Sequence, residues 1–163
     1  MDLTDAQKTA LAADVANDPA FAELPHNSDG AYAVAAAYNL PASPEFIVWR
    51  TSVSQDEIMQ NGFDWVRVDN LSVGKARIWE WLFSNQQRAM NPSKINVRAG
   101  IDETWKGTAA DLAVRAAVYA HCTRAATRAE KLFATGAGTV ASPATMTQDG
   151  ALSYNEVQAA LGW

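Results

Sequence analysis

Apolar positions along this chain recur mostly at three- and four-residue spacing, separated by short polar, proline or glycine breaks, and that period predicts helices. A first helix starts at Thr4, because Thr4 and Gln7 have capping-box spacing and Asp5 suits the positive end of the helix dipole. Ala6, Ala10, Leu11, Ala13 and Val15 carry it to Asn17. Asp18-Pro19 opens a short turn through Leu24. Ser28 or Asp29 is expected to cap a second helix, Ala31 to Tyr38, which Asn39 and Pro41 stop. Ser43-Pro44 repeats the serine–proline start ahead of Phe46, Ile47, Val48 and Trp49. Ser54 with Glu57 marks a short helix that Asn61-Gly62 ends. Trp65-Val66-Arg67-Val68 alternates, yet so short a run builds no sheet alone; it reads as a connector, at most a minor β-ribbon. Further helices are expected over Val73 to about Ala89, and from Asn91-Pro92 to Ala99 or Trp105.

The strongest prediction is one long central helix over about 108–133, capped by Thr108 with Asp111 at its third position. Up to Ala120 it is apolar almost all the way round, with Leu112, Val114, Val118, Tyr119 and alanines interrupted only by Asp111 and Arg115. A helix apolar on every side must be enclosed by other helices or by another chain. From His121 a polar face opens, with Arg124, Arg128 and Lys131 at i, i+4 and i+7. At ~1.5 Å per residue such a helix spans roughly 40 Å. After it, Ala134 to Gly150 is rich in glycine, alanine, serine and threonine, the composition of an extended arm. Ser153 then caps a last helix, Tyr154 to Leu161, closed by Gly162-Trp163. The expected fold is therefore all-α, a bundle around the long helix, with domain 1–133 followed by a C-terminal arm and short helix over 134–163.

Composition narrows the function more than the fold. Alanine supplies about a fifth of the 163 residues, which favours helices that approach one another closely. A net charge of −5 argues against a whole-protein nucleic-acid binder, although a local basic face remains open. Cys122 is the only cysteine, so neither an internal disulfide nor a cysteine-based zinc cluster is expected; a buried, inert thiol is. The amino terminus lacks a basic segment followed by an apolar run, and nowhere do 18 apolar residues run together. The expectation is a soluble protein made in a reducing cytoplasm, with no membrane span.

Catalytic candidates are few. His26 falls in a loop and His121 on the long helix, without metal-ligand spacing between them, and no nucleophile elbow or phosphate-binding glycine loop is present. No catalytic, cofactor-binding or metal-ligating residue is assigned. The segment Asp149-Gly150-Ala151-Leu152-Ser153-Tyr154-Asn155-Glu156 has the spacing of the second half of an EF-hand calcium loop. Thr145 would then take the first position, where a carboxylate belongs, so the competing reading is a glycine turn and a serine cap with Glu156 in the capping-box place. Asp111 and Arg115 are expected to pair with each other. Six tryptophans is a high count, and Trp79 and Trp81 lie about 200° apart round a helix, so they cannot share a surface. Arg124, Arg128 and Lys131 are the candidate basic contact face toward an acidic partner or DNA, and Trp163 is a candidate anchor into another subunit.

Read as text, the run from Asn39 to Thr51, then Asn91-Pro92-Ser93-Lys94, then Glu130-Lys131-Leu132-Phe133-Ala134-Thr135-Gly136, resembles small structural proteins of tailed bacteriophages and prophages. The resemblance covers most of the chain and carries no catalytic motif. It implies a non-enzymatic head–tail connector or adaptor subunit, forming a homo-oligomeric ring on the portal and contacting neighbouring head and tail proteins. A DNA passage without sequence-specific binding would lie at its centre. The location implied is the virion, after assembly in the host cytoplasm. Another minor capsid or tail subunit is one alternative, and a small calcium-responsive module with a degenerate EF-hand-like loop is the other.

Overall fold

Local capping signals place most of the helices. The computed structural model describes residues 3–60 and 63–163, and Thr4, Thr108 and Ser153 each close a full capping box, as their spacing predicts. In chain order the elements are α1 (Asp5–Asn17), a 3-10 turn (Pro19–Phe21), α2 (Ser28–Tyr38), β1 (Ile47–Trp49), β2 (Val53–Ser54) and α3 (Gln55–Gln60). There follow α4 (Trp65–Asp69), α5 (Val73–Leu82), β3 (Ala89–Met90), α6 (Ile95–Thr104) and α7 (Ala109–Cys122). The chain ends with β4 (Thr123–Ala125), α8 (Arg128–Leu132), β5 (Ala134–Thr135), β6 (Thr145–Met146) and α9 (Tyr154–Leu161). The stop expected at Asn61-Gly62 lies outside the described residues.

The fold is mainly helical with small strand content, a correction to the all-α expectation. Three two-stranded sheets occur among the described residues, β1 with β4, β2 with β3, and β5 with β6. The predicted single helix over 108–133 is two helices. Thr123 leaves the helical region (φ −124°, ψ 158°) and α7 ends. Thr127 and Glu130 then form a new capping box that starts α8. Between them the buried Ala126 takes part in sheet-like pairing, its N–H donating to Phe46 C=O (2.8 Å) and its C=O accepting from Ala42 N–H (2.9 Å). A continuous helix would have kept both groups for itself.

Other local readings change for similar reasons. Trp65 to Asp69 is helical because the Asp64 carboxylate accepts from Val66 N–H and caps it. The expected helix from Val73 to Ala89 stops at Leu82, and the Asn85 side chain then brackets Ala89, donating to its C=O and accepting from its N–H. That grip presents Ala89–Met90 to β2, with Val53 opposite Met90 and Ser54 opposite Ala89. Asn27, rather than Ser28 or Asp29, caps α2. Ile47 to Trp49, behind a serine–proline pair read as a helix start, is strand.

The contacts divide the chain into two compact units, Met1–Val48 with Ala125–Trp163, and Trp49–Arg124. This is not the expected division into 1–133 and 134–163, because residues 134–163 pack into the first unit. Their core positions Ala144, Met146, Leu152 and Val157 are buried. The segment read as an extended arm is instead held at both ends, β5 pairing antiparallel with β6 (Ala134 opposite Met146, Thr135 opposite Thr145) and α9 packing on α1 and α2. Gly138 is required there, since a Cβ on it would come within 2.0 Å of the Phe46 ring. At Gly30 in α2 a Cβ would come within 1.9 Å of Pro25 C=O.

The core of the first unit joins Leu11, Val15, Phe21, Val34 and Tyr38 with Phe133, Leu152 and Val157. The second unit is built round aromatic rings. Trp105, fully buried, meets Trp79 at 5.3 Å and Phe63 at 6.1 Å between ring centroids, both edge to face. Edge-to-face contacts set the positive rim of one ring on the negative face of the next. Trp79 also stacks on Phe63 (6.0 Å) and meets Phe83 edge to face (5.1 Å), so ring packing holds this cluster together. No described helix is long and apolar enough to cross a membrane.

Candidate functional site

In the first unit the titratable groups converge on Arg128. As the first residue of α8 it reaches back to α1, its guanidinium bonding the Asp14 carboxylate at 2.9 Å and that of Asp18 at 2.7 Å. It also lies over the Tyr38 ring at 4.3 Å and the Phe21 ring at 5.2 Å. The Tyr38 hydroxyl donates to the same Asp14 carboxylate. Burial opposes the charge on Asp14, but the hydrogen bonds from Tyr38 and Arg128 outweigh it and hold the carboxyl below its ordinary range. Burial, with the Asp14 hydrogen bond, pushes the Tyr38 phenol up. A cleft of 660 Å³ borders this network, with Leu40, Pro41, Ser43 and Lys131 among its walls. The Lys131 ammonium stands over the Phe46 ring at 5.7 Å.

The three cations expected on one helical face do not share one. Arg124 belongs to strand β4, whereas Arg128 and Lys131 belong to α8. Arg128 serves the fold as a clamp between two aspartates and two rings. Trp163 is half-buried and stacks on His26 with ring centroids 4.8 Å apart. His26 is thus an aromatic platform for the chain's last residue.

In the second unit Asp111, Asp102 and Glu57 are likewise engaged. Asp111 pairs with Arg67 at 2.5 Å and not with Arg115, which lies 3.5 Å from Asp102. The correction follows from helix geometry: Asp111 turns inward as the buried capping residue of α7, while Arg115 points along the surface toward α6. The Arg67 hydrogen bond, with the Thr108 cap, holds the Asp111 carboxyl well below the ordinary range. Glu57 is held down to about 2 by the Ser54 N–H and by Arg50 at 2.7 Å. Cys122 is buried, and desolvation pushes its thiol up to about 12. Such a thiol is not a nucleophile at neutral pH.

The calcium-loop positions serve other ends. Thr145 lies in β6, and the Glu156 carboxylate accepts from Ser153 N–H and Oγ at 2.7 Å, completing the cap of α9. Among the described residues no group of three or more His, Cys, Asp or Glu side chains is placed to hold a metal ion.

What the second unit does offer is apolar surface. Trp79 is 4% exposed and Trp81 is 67% exposed, the opposite placement that their spacing on α5 demands. Trp65, Val66, Val73 and Ile95 are also exposed. Helix α7 buries one stripe, Asp111, Val114, Val118 and Cys122, and leaves its alanine side open, with Leu112 at 42% exposure. It is therefore not enclosed on all sides, and Leu112, read as core, is surface. Sequence reasoning missed this because alanine fits a buried or an exposed helix face with little difference in free energy. Trp65 was missed with its helix, for which the Asp64 cap was the available signal. No family model, no characterised protein and no solved structure matches this chain.

Proposed function

We propose that this chain is a non-enzymatic structural subunit that works by association with copies of itself and with neighbouring proteins. In the setting its wording resembles, it is a head–tail connector or adaptor subunit of a tailed-phage virion, forming a ring on the portal after synthesis in the host cytoplasm. The observation that carries this reading is the exposed apolar surface of the second unit, where Trp65, Val66, Val73, Trp81 and Ile95 all face solvent. Large apolar side chains in solvent mark protein-binding sites where they share a face, as Val73 and Trp81 do along α5. Four carboxylates held below their ordinary range support it, since each is engaged by a fold contact: Asp14 by Tyr38 and Arg128, Asp18 by the Ala20 N–H and Arg128, Glu57 by the Ser54 N–H and Arg50, Asp111 by Arg67. Lys131, Arg124 and Trp163 remain contact residues in this proposal, while the charge of Arg128 is already met by two carboxylates.

Size-exclusion chromatography with light scattering, on the chain alone and mixed with portal, tests it. The expected result is a homo-oligomer that co-elutes with portal. A monomer at every concentration that never binds portal would overturn the proposal.

A further inference from the structure

Two separate surfaces of the second unit carry complementary features, a notch with an acidic rim and a helix face with an exposed indole and an arginine. One is a notch of 180 Å³ beside α4 and α7, lined by Ala110, Ala113 and Ala117 and bounded by Phe63, Asp64 and Val114. An apolar cavity of roughly 150 Å³ accepts a benzene ring, so this notch has room for one aromatic side chain. Its alanine floor lets another backbone approach closely. Asp64 stands exposed at the rim, and its carboxylate is fixed because Oδ1 accepts from Val66 N–H at 3.1 Å.

The other surface is the outer face of α5. Val73, Arg77 and Trp81 follow at i, i+4 and i+8, so they form one line along the helix, and all are exposed. Glu80 is exposed next to them. Trp81 is the knob of this line and takes no part in lining the notch of its own chain. An indole buries roughly 150–250 Å² when it finds a pocket, and tryptophan and arginine are the usual anchors of protein interfaces.

We propose that Trp81 of one copy seats in the Ala110–Ala113–Ala117 notch of a second copy, with Arg77 meeting Asp64 across the contact. The occupant is a second copy because this chain itself supplies a knob and a cation suited to the notch and its acidic rim. Knob and notch are different surfaces, so the contact is head-to-tail: every copy offers one of each, and growth ends when a ring closes. The inference rests on the self-association proposed above and gives that association its residues.

Two substitutions at exposed positions test it by light scattering. Trp81→Ala removes the knob, and Ala113→Trp fills the notch with the chain's own ring. Each variant should keep the wild-type far-UV circular dichroism and run as a monomer where the wild type is an oligomer. Mixed in equal amounts they should recover one contact, since Ala113→Trp still carries the knob and Trp81→Ala the open notch. The product is a dimer of twice the monomer mass that grows no further. Asp64→Asn keeps the capping oxygen and removes the charge, and should weaken self-association roughly fivefold, as expected for an ion pair at an interface rim. An oligomer insensitive to both substitutions, or a mixture that stays monomeric, overturns this contact while leaving self-association standing. If the two variants keep the wild-type mass but lose portal, the surface belongs to that partner, and the proposal fails. A wild type that is monomeric throughout overturns this contact, and if it also never binds portal the proposed function falls with it.

Discussion

The first unit gathers aromatic and charged side chains round Arg128 and exposes Tyr32, Leu40 and Val140, whereas the second leaves two tryptophans, Trp65 and Trp81, in solvent together with Val66, Val73 and Ile95. In the first, Arg128 is held by Asp14, Asp18, Tyr38 and Phe21, and Trp163 rests on His26. In the second, an aromatic cluster of comparable richness is buried round Trp105, yet Trp65 and Trp81 stand outside it. Both units have cores, so the exposed rings are not a sign of insufficient burial. The contrast teaches where association is to be sought first: in Trp49–Arg124, which is continuous in sequence, ahead of the terminal segments, where the sequence drew attention to Arg128 and Trp163.

The comparison breaks most visibly if the second unit loses its core. Trp105→Ala should destabilise it by about 3–5 kcal/mol, read from urea denaturation, since a fully buried indole is replaced by a cavity. A loss below about 1 kcal/mol would show that the ring cluster is not what holds this unit.

A smaller effect is expected from Arg128→Met in the first unit, about 1–3 kcal/mol, because Asp14 and Asp18 lose their common partner while the stem still covers Tyr38. Arg128→Lys should recover little, as an ammonium cannot bridge two carboxylates in the same fork geometry. If Arg128→Met is neutral in thermal denaturation but impairs assembly, the arginine belongs to a partner surface after all.

The smallest effect is a pH dependence. Glu57 is held down to about 2 from an ordinary 4.5. Its contribution is therefore fully present above about pH 4.5 and is lost as the pH falls through about 2. The side chain is 41% exposed, so solvent screens much of the gain. Glu57→Gln should narrow the difference in urea midpoint between pH 5 and pH 2.5, and an unchanged difference would remove Glu57 from the account.

Much of the local structure was legible because capping is local. Thr4, Thr108 and Ser153 announce helix starts within four residues of sequence. Thr127 with Glu130 carries the same signal, but the apolar positions running past Cys122 suggested one unbroken helix and masked it. The break at Thr123 depends on Phe46 and Ala42, some 80 residues earlier in the chain, which pair with Ala126. No window of sequence contains that information. Which tryptophan faces out was only half legible: the 200° separation of Trp79 and Trp81 requires opposite faces, but which one meets Trp105 is decided by tertiary packing. The notch on α7 was hidden for the same reason, since alanine periodicity says nothing about which side a neighbour covers.

The pairing of Ala126 with Phe46 has a consequence for how this molecule can be cut. The chain leaves the first unit after Val48 and re-enters it at Ala125, and just inside those points the Ala126 N–H donates to Phe46 C=O at 2.8 Å. The two ends left by excising residues 49–124 are therefore close, and a linker of a few residues can rejoin them. In design terms the second unit is a cassette on a closed frame, so its sticky surface can be removed or exchanged without rerouting the rest of the chain.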